Sequence, residues 1–301
     1  MLRTLIVALS LAVAAPMMAA HAETSEKTPE EFEWSFSGPF GHYDRGALQR
    51  GFQVYKEVCS SCHAAKLLTY RNLGEPGAPF EAVSKRDETT GETTIALGAP
   101  GEGAKAISAI ENPFVKVIAA DYEVEEIDQQ TGDTNKRKAI PSDHFHNPFP
   151  NDGAARAANG GALPPDMSVL AKARKHGASY IRSFAVGFSE APAGLEVPAG
   201  KYYNPYMPGD LSSFWKGDPR QVPVGGFTSM PPQLTADRVT YANGTKATPI
   251  QMATDVATFL AWASDPHLEQ RNALGMQVMI YLLILGVLAY SAYRYVWSKL
   301  H

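Results

Sequence analysis

The chain has 301 residues, enough for one large domain or two ordinary ones, and carries 31 acidic against 27 basic side chains. A net charge of −4 argues against nucleic acid as a partner. With 45% apolar residues the chain can build a real core, while 25 glycines and 22 prolines predict long irregular connections between few helices.

Residues 1–22 read as a secretory leader: Arg3 supplies the positive start, residues 5–15 the apolar run, and Ala20-His21-Ala22 a small-residue cleavage site. That run is too short to span a bilayer, and the cleavage site sets the expected start of the mature chain near Glu23. The acidic, aromatic stretch to Phe40 reads as an extended arm laid over the body. From Asp44 the pattern becomes helical: Leu48, Phe52, Tyr55 and Cys59 recur at steps of four and three and share one apolar face. Gly51, in its middle, is either a point of close approach for another helix or merely tolerated.

The helix delivers Cys59-Ser60-Ser61-Cys62-His63, the attachment signature of a c-type haem. One helical turn puts both thiols on one side, where each can form a thioether to a porphyrin vinyl group, with His63 beneath the iron as axial ligand. A redox dithiol, half of a zinc site and a disulfide are the alternatives. A zinc site needs a second ligand pair, and the chain has only these two cysteines. The adjacent histidine and the export leader favour haem c.

Beyond His63, residues 66–79 read as a loop in which Arg71 either meets a haem propionate or is solvated. In residues 81–133 the acids outnumber the bases twelve to four. Tyr122-Glu123-Val124-Glu125-Glu126-Ile127 is a candidate strand, Gln130-Thr131-Gly132-Asp133 a turn, and Lys136, Arg137 and Lys138 the start of a return strand. Such an acidic run is either plain solvated surface or a field that steers a cationic protein. His144 and His146, in a turn-rich segment, read as surface histidines. Asp166 or Ser168 is placed to cap a helix running to His176 and closed by Gly177, with a second short helix from Ser179 to about Val186.

A proline-rich loop then carries Tyr202-Tyr203-Asn204-Pro205-Tyr206-Met207-Pro208-Gly209, followed by Gly225-Gly226-Phe227-Thr228-Ser229-Met230-Pro231-Pro232. Thr248-Pro249-Ile250-Gln251 is a capping box opening a helix that turns Met252, Val256, Phe259, Leu260 and Ala263 inward and stops at Asp265-Pro266. Residues 272–293 carry no formal charge and are long enough to cross a hydrocarbon layer of ~30 Å. Arg271 precedes them; Arg294 and Lys299 follow, with Tyr290, Tyr293, Tyr295 and Trp297 as an interfacial belt. Leader and basic tail together predict a periplasmic body and a cytoplasmic C-terminus.

The sixth iron position decides the chemistry, because a thioether closes the site and raises the potential as an electron carrier requires. Between leader and span the candidates are Met167, Met207, Met230 and Met252. Met252 lies on an apolar helix face where core packing is the default. Met230 sits in a proline-stiffened loop far downstream of His63, suited to presenting a side chain to the other haem face. All four stay open on this reading, with Met230 the leading one.

These residues resemble the cytochrome c1 family, the haem-bearing subunit of ubiquinol–cytochrome c reductase. The resemblance covers nearly all of the mature chain. It rests on Gly51-Phe52-Gln53-Val54-Tyr55 leading into the haem motif, on Ala154-Ala155-Arg156-Ala157-Ala158-Asn159 with Gly161-Ala162-Leu163-Pro164-Pro165-Asp166, on Tyr203-Asn204-Pro205-Tyr206, on Met230-Pro231-Pro232, and on the single C-terminal span. Cys-x-x-Cys-His alone says only c-type cytochrome; the ordered set is far more specific. The departures are Met167, where the family more often has Leu, and the lack of further cysteines for the disulfide some bacterial members carry.

The resemblance implies a mainly α c-type cytochrome domain with long loops and a small hairpin, plus one C-terminal transmembrane helix. The organisation is then a signal peptide at 1–22, a periplasmic haem domain at 23–270, an anchor at 271–294 and a cytoplasmic tail at 295–301, in a bacterial inner membrane. It implies one haem held by Cys59 and Cys62, His63 and Met230 as axial pair, and Arg174 and Tyr180 near a propionate. The implied partners are a cytochrome b subunit, a Rieske iron–sulfur protein as donor and a cytochrome c as acceptor, drawn by the acidic stretch. No residue is expected to be catalytic, since only electrons pass. The rival readings are a tethered cytochrome c serving an oxidase, and a haem sensor or peroxidase with an open sixth position.

Overall fold

The structure, a computed structural model, describes residues 26–299. The leader and its cleavage site lie outside the described residues. Helix α1 (Arg45–Val54) starts where Asp44 accepts the Ala47 amide at 2.7 Å, one of the orphan donors a helix start leaves. Its last turn widens at residues 55–59, so that the Ser60 amide reaches back five residues to the Tyr55 carbonyl at 2.8 Å. Such bulges often mark functional sites, and this one ends on Cys59.

Helix α5 (Pro249–Ser264) is the centre of the fold, with α1 and α4 (Gly177–Val186) packed on it. The five residues expected to face inward are buried, but so is nearly every other side chain from Met252 to Ser264. A helix surrounded on all sides has no single stripe. Gly51 permits the crossing: a Cβ there would lie 2.1 Å from the Asp255 carbonyl oxygen. Beside it Arg50 grips the fully buried Asp255 carboxylate with two bonds of 3.0 and 2.8 Å. Thr248 caps α5 through the Gln251 amide at 3.2 Å. The reciprocal half of the expected capping box is not made, because the Gln251 side chain turns to Asp255 at 3.1 Å.

The sheets are small and antiparallel. Strands β4 (Glu123–Ile127) and β5 (Thr134–Lys138) form the expected hairpin, with Glu123 opposite Lys138. The unexpected sheet has the order β2-β1-β3, from β1 (Ala82–Arg86), β2 (Thr93–Leu97) and β3 (Ala104–Ala106). Strand β2 is exposed throughout, so it lacks the in–out alternation that a half-buried strand writes into a sequence. A third pair joins β6 (Tyr202–Asn204) to β7 (Gly226–Thr228). Two further helices, α2 (Pro113–Ala120) and α3 (Asp152–Ala158), are short, each capped by an asparagine.

One expected helix does not form. Residues 168–176 are successive turns, and the helix opens at Gly177 rather than Ser179. Asp166 has no helix to cap, and its oxygens accept from the Ser168 amide at 2.8 Å and the Lys66 amide at 3.0 Å. Ser168 is committed to the Leu67 amide, and His176, at φ +65°, breaks the run just before α4.

The arm lies over the body as expected. The Lys27 amide donates to the Pro205 carbonyl at 2.8 Å, and the Trp34 indole to Ser179 at 2.9 Å. Helix α6 (Leu268–Trp297) follows α5 after Asp265-Pro266 and has no buried residue. Its most apolar window has a mean hydropathy of 2.0, and its length and composition fit a single-pass membrane anchor. Its head is pinned to the body: Glu269 accepts the Tyr43 amide at 2.7 Å and both Arg45 guanidinium nitrogens at 3.0 and 2.8 Å.

Candidate haem site

The site is built on the end of α1. The Cys62 and His63 amides both return to the Cys59 carbonyl, at 3.1 and 2.9 Å, which fixes the two thiols one turn apart. Both are free and half-buried. Burial, with Cys62 nearby, pushes the Cys59 thiol up to about 12. A redox dithiol depends on the opposite, a lowered pKa that yields thiolate.

His63 is buried, and its Nδ1 stands 2.9 Å from the Pro165 carbonyl. Orienting one ring nitrogen on a backbone carbonyl fixes the tautomer and leaves Nε2 to ligate a metal. Burial lowers the His63 pKa, against the opposing pull of Pro165 and Asp166. Burial thus favours the neutral ring, the form a ligand must take.

The contact with Pro165 is one tooth of a zip. The Met167 amide donates to the Ala64 carbonyl at 2.8 Å, the Lys66 amide to Asp166 at 3.0 Å, and the Leu67 amide to Ser168 at 3.0 Å. On its far edge the same segment is held by residues 141–145: Arg71 and Tyr70 donate to Pro141 and Asp143, and Phe145 donates to Leu68. The histidine strap is thus gripped from both sides. From local pattern the sequence offers Asp166 as a helix cap and gives Pro165 no contact of its own; the Pro164-Pro165-Asp166 motif signals them only through the family resemblance.

The other expected site residues fall into two groups. Burial raises the Tyr180 phenol pKa, and the nearby charge of the exposed Arg174 opposes that rise, so the pair expected at a propionate is brought together. Met230 is half-buried in the loop after β7, its amide on Thr228 Oγ1 at 3.1 Å. Its rivals are occupied elsewhere. Met252 is fully buried in the main core, Met207 packs its Cγ over Gly226, and Met167 is tied by its backbone beside His63. Arg71, His144 and His146 have exposed side chains, His146 stacked on Tyr122 with ring centres 5.5 Å apart.

Two free thiols one turn apart and an oriented, neutral imidazole are the donor set a haem of the c type needs, and these residues fit it. Fold and site together define a mainly α haem-binding domain on one apolar C-terminal helix. The model of the Cytochrome C1 family matches residues 34–300. The chain is 37% identical over 295 residues to cytochrome c1 of Rhodospirillum rubrum, covering 93% of this chain and 91% of that one. It is 37% identical to cytochrome b/c1 of Bradyrhizobium diazoefficiens, over 93% of its own length but only 37% of that longer protein. Against the mitochondrial cytochrome c1 haem protein of Saccharomyces cerevisiae the identity is 35%, over 89% of this chain and 71% of that one. The chain belongs to the cytochrome c1 family, haem-bearing electron-transfer subunits of the cytochrome bc1 complex.

Proposed function

We propose that the protein relays single electrons from a Rieske iron–sulfur protein to a cytochrome c, beside a cytochrome b subunit in a bacterial inner membrane. Cys59 and Cys62 hold the haem through two thioethers, and His63 Nε2 and Met230 ligate its iron. When bound, the haem supplies a one-electron couple whose potential a methionine ligand raises. Pro165 orients the imidazole, Asp166 and Ser168 lock the strap behind it, and the Arg174–Tyr180 pair meets a propionate. The leader and the basic tail support a periplasmic haem domain and a cytoplasmic C-terminus.

The observation that carries this reading is the His63–Pro165 contact within the zip. It also bears on the choice of methionine. Met167 is held by its backbone beside the residue after His63, whereas Met230, in a separate loop, would supply the thioether to the iron. The test begins with acidified solvent, which should leave the haem on the polypeptide. Met230→Leu should then abolish the near-infrared charge-transfer band of the oxidised protein and lower its midpoint potential, while Met167→Leu keeps both. Loss of the band in Met167→Leu instead would reassign the ligand. A band retained in both variants would sink the Met230 assignment.

The acidic stretch supports the steering reading only in part. Glu111, Asp121, Glu123 and Glu126 are each paired with a neighbouring Lys or Arg. The field left for a basic cytochrome c comes chiefly from the other acids of residues 81–133.

A further inference from the structure

The most exposed large apolar side chain among the described residues is Phe40, at 77%. It is displayed by a closed turn, not a loose loop. The Ser37 amide donates to the Trp34 carbonyl at 3.0 Å, Gly41 to Gly38 at 3.2 Å and His42 to Ser35 at 3.0 Å. Gly38 takes φ +79°, and a Cβ on Gly41 would stand 2.3 Å from the Phe36 backbone, so both glycines are needed for this shape. Behind the turn Trp34, Phe36 and Tyr43 stack with ring centres 5.3 and 5.0 Å apart.

The turn has a definite height. Asn272, the first residue of the uncharged span, donates from Nδ2 to the Gly38 carbonyl at 3.3 Å. One residue row up, Glu269 takes the Tyr43 amide. From residue 271 to 299 only Asn272 and Met276 are half-buried, one turn apart on the face that carries Glu269. Residues 34–42 carry no formal charge. An exposed apolar ring at the level where an apolar helix begins stands where side chains such as Trp, Phe and Leu enter the headgroup–acyl boundary.

We infer that the Gly38-Pro39-Phe40 turn is a second membrane contact, with the Phe40 ring seated at the lipid headgroup boundary beside α6. The haem domain then stands on the bilayer at two points, and the Glu269–Arg45 pair sets the angle between them. This rests on reading α6 as a membrane anchor.

The test uses the full haem-loaded chain in nanodiscs of phosphatidylcholine and phosphatidylglycerol. Phe40 is replaced by 4-trifluoromethyl-phenylalanine and, in a second sample, Leu283 in mid-helix is replaced likewise. Fluorine linewidths are compared with and without a lipid nitroxide near the headgroup, one deep in the acyl region, and a water-soluble gadolinium chelate. The probe at 40 should broaden at least twofold with the headgroup nitroxide and much less with the chelate; the probe at 283 should broaden with the deep nitroxide. Broadening at 40 by the chelate alone, or by neither agent, overturns the inference while a normal response at 283 leaves the anchor standing. Failure at 283 removes the anchor itself. If the lipid response at 40 vanishes in the assembled complex, a neighbouring subunit holds the turn and the lipid contact is wrong.

Discussion

The two sides of the proposed iron site are built differently. His63 lies on a strap bonded to partners 100 to 102 residues away, and those partners are continuous with the main core around α5. Met230 lies in a lobe with its own small core of Leu195, Tyr203 and Leu211. Its loop is tied within the lobe: the Met230 amide donates to Thr228 Oγ1 two residues back, and Lys201 donates to Ser229 across 28 residues. One link to the body is Asn204, fully buried, whose Nδ2 donates to the Phe184 carbonyl at 2.9 Å. The histidine side is thus tied across the global fold, and the methionine side chiefly within its own lobe, the kind of region expected to open at lower cost.

The sharpest way to break the histidine side is Gly51→Ala. The new methyl meets the Asp255 backbone, which cannot move without displacing α5. Overpacking of this kind should cost ~3 kcal/mol or more. The expected outcome is a large fall in the urea midpoint and in the yield of haem-loaded protein, both measurable on membranes; a midpoint within error of the parent would show that the helices can separate at this point. Asp166→Ala should come next, at about 2 kcal/mol, since it strips a charged acceptor from two amides. Asp166→Asn, which keeps one acceptor, should recover roughly half of that loss. By contrast Met230→Leu, for all its effect on the iron spectrum, should move the unfolding midpoint by less than ~1 kcal/mol, because the side chain is half-buried in a locally tied loop. A loss as large as that of Asp166→Ala would mean the two sides are one cooperative unit.

The same contrast explains what could be read without coordinates. The end of α1, the thiol spacing, the stop at Asp265-Pro266 and the apolar C-terminal helix are local patterns, and each appears where the sequence predicts it. The β4–β5 hairpin was legible because a Gly-Asp turn separates strands of opposite charge. What could not be read was long-range. Nothing local in Pro165 says that its carbonyl serves a histidine 102 residues earlier. The turns at 168–176 read as a helix in the sequence because the alternative partners of Asp166 and Ser168, at Lys66 and Leu67, come from another part of the chain. The β1–β3 sheet escaped because it has little buried face to imprint a pattern.

The smallest expected effect sharpens the comparison at the outer edge of the histidine strap. Asp143 accepts two bonds from Arg137, at 2.6 and 3.0 Å, and the Ile140 amide at 2.8 Å, while its own carbonyl takes the Tyr70 amide. Arg137 holds the Asp143 carboxyl below the usual carboxylate range, against the opposing effect of burial. A folded-state pKa below the unfolded one stabilises at pH values above the ordinary value of ~3.9, and that contribution is lost as pH falls through the folded pKa. Arg137 is a third exposed, so solvent screening limits the pair to ~1 kcal/mol. The urea midpoint of the parent should therefore exceed that of Asp143→Asn by a constant margin from pH 5 to pH 8, and the two should converge below about pH 4. A margin that does not shrink at all as pH falls below about 4 would mean that Asp143 holds the strap by shape and backbone rather than by charge, and that this edge, like the Pro165 edge, is a matter of hydrogen-bond geometry alone.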